Sequence, residues 1–83
     1  MPYIKREKRE ELWEVDFNWP DTPGELNYMF SQLARNYCDS KGLSYQTIND
    51  IVGALEGAKL EFYRRVAVSY EEEAIKRNGD LYE

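Results

Sequence analysis

The chain has 83 residues, a formal net charge of -5 and one cysteine, Cys38. That length holds one small domain over residues 1–83, marginal alone because it buries only about 60 % of its unfolded surface; the acidic balance argues against attachment to a DNA or RNA polymer, and the lone thiol fits a reducing compartment. No apolar run approaches the roughly 18 residues of a membrane span, and the first residues lack the apolar segment of a signal peptide, so a cytoplasmic protein is expected.

Residues 5–9 hold four cations and one anion, Lys5, Arg6, Lys8 and Arg9 around Glu7. A first, weaker helix is expected from about Lys5 to Glu14, with Ile4, Leu12 and Val15 as a thin apolar stripe. Phe17 to Asp21 reads as a loop, because Pro20 holds Trp19 in extended geometry. The second helix has a clear start: Thr22 as N-cap, Pro23 in the first turn and Glu25 three residues after the cap, a capping box. Leu26, Phe30, Leu33 and Tyr37 recur at helical spacing, widened by Met29, Ala34 and Cys38. The helix is expected to end near Lys41, with Gly42 left-handed after it.

Ser44 is the next N-cap. Ile48, Ile51, Val52, Leu55, Phe62 and Val66 mark one broad face of a third helix from about Tyr45 to at least Val68. The pattern extends through Tyr70 and Ile75 to Arg77, where Asn78-Gly79 stops it. The expected fold is all-α: a small helical hairpin with a long C-terminal helix and a weaker N-terminal one. So long a helix exceeds what this domain can cover, which points to a homo-oligomer, a dimer or tetramer. Gly53 and Gly57 sit four apart inside that helix, each at a cost of about 1 kcal/mol relative to alanine. Close approach of another backbone offsets such a cost, so both are assigned to an oligomer interface; packing within the chain is the alternative.

Catalytic equipment is missing from the sequence. There is no histidine, the commonest general base and metal ligand. One cysteine cannot build a thiolate metal site, and Cys38 falls on an apolar face, where free cysteine is usually core. No enzyme, no cofactor and no metal are expected. Seven tyrosines against three phenylalanines leave many rings with a hydroxyl to satisfy, which suits a ligand wall or an interface. Tyr63, Arg64 and Arg65 combine ring and cations as a phosphate-and-base site would; pairing of Arg65 with Glu61 is the plainer alternative. A helix–turn–helix reading of the Ser44 turn fails on charge, since no Lys or Arg precedes Lys59 and Asp50 would face phosphate.

Four stretches carry a resemblance: Met1-Pro2-Tyr3-Ile4; Thr22-Pro23-Gly24-Glu25-Leu26-Asn27-Tyr28; a long block from Lys41-Gly42-Leu43-Ser44-Tyr45 through Ile48-Asn49-Asp50 to Glu61-Phe62-Tyr63-Arg64-Arg65; and Asn78-Gly79-Asp80-Leu81-Tyr82. They resemble a small family found in phages and bacteria. Residues 10–21 match nothing in it, and Val68-Ser69-Tyr70 stands where a proline is expected before the tyrosine. The chain also looks like the small oligomeric phage sponges that sequester cyclic nucleotide signals of anti-phage immunity, the anti-CBASS proteins. That resemblance implies binding without turnover in pockets between subunits. On it, Tyr3, Lys5, Arg9, Tyr45, Arg64 and Arg65 are the expected ligand residues, tyrosines for bases and cations for phosphates. The rival expectation is an acidic protein-interaction module that docks on a host protein through aromatic anchors.

Overall fold

The structure is a computed structural model and describes residues 4–13 and 18–82. Among the described residues every regular element is helical: α1 (Arg6–Trp13), α2 (Pro23–Lys41), α3 (Tyr45–Phe62), a π-helical turn (Tyr63–Ala67) and α4 (Val68–Asn78). The chain divides into two units, Met1–Lys41 and Gly42–Glu83.

In the first unit, α1 starts one residue later than expected. The irregular stretch Asn18 to Asp21 agrees with the loop reading, and Val15 and Phe17 lie outside the described residues. The Thr22 half of the capping box forms, Thr22 Oγ1 accepting from the Glu25 N–H at 3.1 Å, while Glu25 Oε1 reaches one residue further back than the motif requires and accepts from the Asp21 N–H at 3.1 Å. Two donors with no partner inside the helix are thereby satisfied. Of the apolar face, Met29, Ala34 and Cys38 are half-buried, while Leu26, Phe30, Leu33 and Tyr37 are exposed. Lys41 lies over the Tyr37 ring, 5.8 Å from its centroid.

The second unit opens at Gly42, whose φ of +89° is the left-handed conformation expected of it. Ser44 caps α3 by accepting from the Thr47 N–H at 3.1 Å, and its hydroxyl donates to Thr47 Oγ1 at 3.1 Å. Thr47 is in consequence the one described residue that is buried, at 6 % exposure. α3 passes into α4 through the π turn, where the Val68 N–H donates to the Tyr63 carbonyl five residues back. The long C-terminal helix of the sequence reading is therefore present, with its one irregularity at Tyr63–Ala67. It ends at Asn78, and Gly79, at φ +84°, donates its N–H to the Ile75 carbonyl at 2.7 Å.

No apolar side chain among the described residues is buried. Of the described positions that periodicity marks as core in α2 and α3, Met29, Ala34, Cys38 and Ile51 are half-buried and the others exposed. No described helix is long and apolar enough to cross a membrane.

Candidate functional site

On α1, Arg9 and Glu10 stand three and four residues after Arg6, and Trp13 four and three after them, which puts the four on one face. With Leu12 they line an open cleft. The Trp13 ring lies against Trp19, with centroids 5.4 Å apart and planes tilted by 53°. Trp19 belongs to a second cleft, lined also by Pro20, Gly24, Glu25, Tyr28 and Met29. The first unit therefore carries two neighbouring concavities, each walled by one ring of a tryptophan pair. Tilted ring pairs at this distance are attractive.

Neither Arg6 nor Arg9 has an ion-pair partner among the described residues, whereas Lys8 is held by Glu11 at 3.3 Å. Two guanidinium groups beside an indole can grip phosphate oxygens and stack a flat base. Glu10, on the same wall, accepts hydrogen bonds and so suits a base amino group or a sugar hydroxyl, not a phosphate.

The six residues expected to bind ligand fall in different places. Arg9 lines the α1 cleft. Lys5 precedes α1, exposed, its carbonyl accepting from the Arg9 N–H at 3.0 Å. Tyr3 lies outside the described residues. Tyr45 begins α3 and is 88 % exposed. Arg64 and Arg65 sit in the π turn, about 28 Å further along the axis at 1.5 Å per residue, so one copy of this helix does not bring Tyr45 to them. Both arginines are held by Glu61, Arg64 at 2.8 Å and Arg65 at 3.3 Å. The Arg65–Glu61 pairing that the spacing allows is formed, and Arg64 shares the same carboxylate.

Arg6, Trp13 and Trp19 were not among the expected residues. The signal for two of them was present: Arg6 stands three residues before Arg9 and Trp13 four after it, on the same helical face. Gly53, assigned to an oligomer interface, has open space where a side chain would start; Gly57 is half-buried. Among the described residues no group of three or more His, Cys, Asp or Glu is placed to hold a metal ion.

A family model described as a domain of unknown function, DUF6899, matches residues 1–81. The chain belongs to this family. No curated protein and no solved structure matches it. The DUF6899 match runs through the α1 cleft, the loop bearing Trp19 and the whole C-terminal helix. It takes in residues 10–21, which the motif comparison left unassigned.

Proposed function

We propose that this DUF6899 protein is a non-catalytic binder, assembled from copies of itself, that sequesters a cyclic nucleotide or a related nucleotide messenger. The observation that supports it is the α1 cleft, where Arg6 and Arg9 stand on one face with Trp13. Cations for phosphate and a ring for a base are what such a ligand requires. A net charge of -5 would keep polymeric nucleic acid away while two local arginines hold a small anion. The role of a phage immune-evasion sponge comes from the resemblance to anti-CBASS proteins, and the arginines and ring of the α1 cleft are compatible with it.

The test is retention. The protein is incubated with a panel of cyclic and linear nucleotides, passed over a desalting column and denatured, and the released material is analysed. Release of an intact nucleotide at near-stoichiometric amount is expected. Release of a cleaved product would make the protein an enzyme. No retention by folded protein would favour the second reading, a protein-interaction module. The uncovered apolar side chains of α2 and α3 support that alternative, since contiguous exposed apolar surface marks interaction sites.

A further inference from the structure

We propose that the base taken by the α1 cleft is guanine, and that Glu10 is the residue that selects it. The proposal rests on the nucleotide reading above and deepens it, because that reading leaves the base open.

Helix geometry sets which residues stand beside each other. Successive residues of an α-helix turn by about 100°. Arg6 and Trp13 begin and end α1, and at about two turns apart they lie nearly on one line along it. Arg9 and Glu10 stand between them along the axis, on opposite sides of that line. Arg9 is about 40° to one side of Trp13 and Glu10 about 60° to the other. All four line the same cleft. A base stacked on the Trp13 ring turns one edge toward Arg9 and another toward Glu10. The sugar–phosphate edge goes to the cation, and the edge that pairs with other bases goes to the carboxylate.

Glu10 has no competing partner on its own helix. Arg6 stands four residues before it, a spacing at which helix-surface ion pairs form. No such pair exists among the described residues, whereas Glu11 is held by Lys8 at 3.3 Å. A carboxylate accepts hydrogen bonds through two oxygens side by side, so it matches a base with two donors side by side. Guanine has them, in N1–H and the N2 amino group. Adenine and cytosine each set one amino group beside a bare ring nitrogen, whose lone pair would face the second oxygen. Uracil and thymine carry a single N–H between two carbonyls. The carboxylate therefore repels part of the edge of every other base, and such repulsion discriminates as well as attraction does.

Calorimetry of the full chain with cyclic diguanylate and cyclic diadenylate tests this, with circular dichroism checking that each variant keeps its helicity. The guanine ligand is expected to bind at least about tenfold tighter. Glu10→Gln exchanges one acceptor for a donor, the pattern that suits adenine. It should weaken the guanine ligand about tenfold and tighten the adenine one, so that the preference disappears. Glu7→Gln removes the same charge from a residue that does not line the cleft, and should leave the preference within about threefold of wild type. Equal binding of the two ligands by the wild-type chain, or tighter binding of the adenine one, would overturn the choice of guanine and leave the nucleotide reading standing. An unchanged preference in Glu10→Gln, or the same loss in Glu7→Gln, would overturn the role of Glu10. Retention of only guanine-free nucleotides from the panel would overturn this inference alone, and retention of no nucleotide at all would sink the nucleotide reading with it.

Discussion

Arg9 and Arg65 carry the same charge in different company. Arg9 lines a cleft beside an indole without an ion-pair partner among the described residues, and Arg65 is held by Glu61 at 3.3 Å. If the α1 cleft takes the nucleotide, Arg9→Ala should weaken binding by about 1.5–3 kcal/mol, the range for hydrogen bonds to charged groups. Arg65→Ala should leave binding within about threefold and stability within about 0.5 kcal/mol, as exposed pairs do. Titration calorimetry on both variants checks this, and equal losses would move the site toward the π turn. Arg9 was legible in the sequence because a cation cluster in an acidic chain is conspicuous. Trp13 was not, because an apolar residue on a helix reads as core until a second ring is found against it. The Glu61 pairing was legible as a spacing of three and four, but spacing alone does not choose between a carboxylate neighbour and a phosphate.

Helix boundaries were the most legible features, since they rest on local chemistry. Thr22 with Glu25, Gly42 with its positive φ, and Ser44 with Thr47 each form as their residue types require. The π turn was not legible. Nothing in Tyr63-Arg64-Arg65-Val66-Ala67 is a glycine or a proline, so the sequence marks no break there. Gly53 belongs to the same scale. It lies on the side of the helix opposite the apolar face, with open space at its missing side chain. Gly53→Ala should therefore raise stability by up to about 1 kcal/mol through helix propensity, read as a higher melting temperature with the assembly intact. A lower melting temperature with loss of the assembly would put a second copy on the glycine face instead.

For the whole molecule, the decisive feature is that no described apolar side chain is buried. Apolar burial supplies most of the free energy that offsets chain entropy. A chain with so little apolar burial gains most of that term only when its exposed faces are covered. Folding and association are then one equilibrium, and the melting temperature should rise with protein concentration by mass action. Thermal melts over a hundredfold dilution series check this. A constant melting temperature would mean that the isolated chain covers its own faces. Periodicity made the all-helical plan and the apolar faces legible in advance. The partner of each face was not, because a period of 3.6 says that a side is apolar and is silent about what lies on it.

The π turn also bears on how this chain tolerates changes in length. A turn that closes over five residues instead of four holds one residue more than an α-helix needs, so it behaves as a single-residue insertion that the helix has absorbed. Removing Arg64 should let the segment run as uninterrupted α-helix. Tyr70 would then fall seven positions after Phe62, close to two turns, and the downstream side chains would keep their face. The shortened chain should match the full-length one in helicity, melting temperature and assembly. Removing Lys59, in the regular part of α3, should instead swing everything beyond it by about 100°, breaking the apolar face and the assembly with it. Across the DUF6899 family, chains one residue shorter at Tyr63–Ala67 should therefore carry the same face on a plain helix.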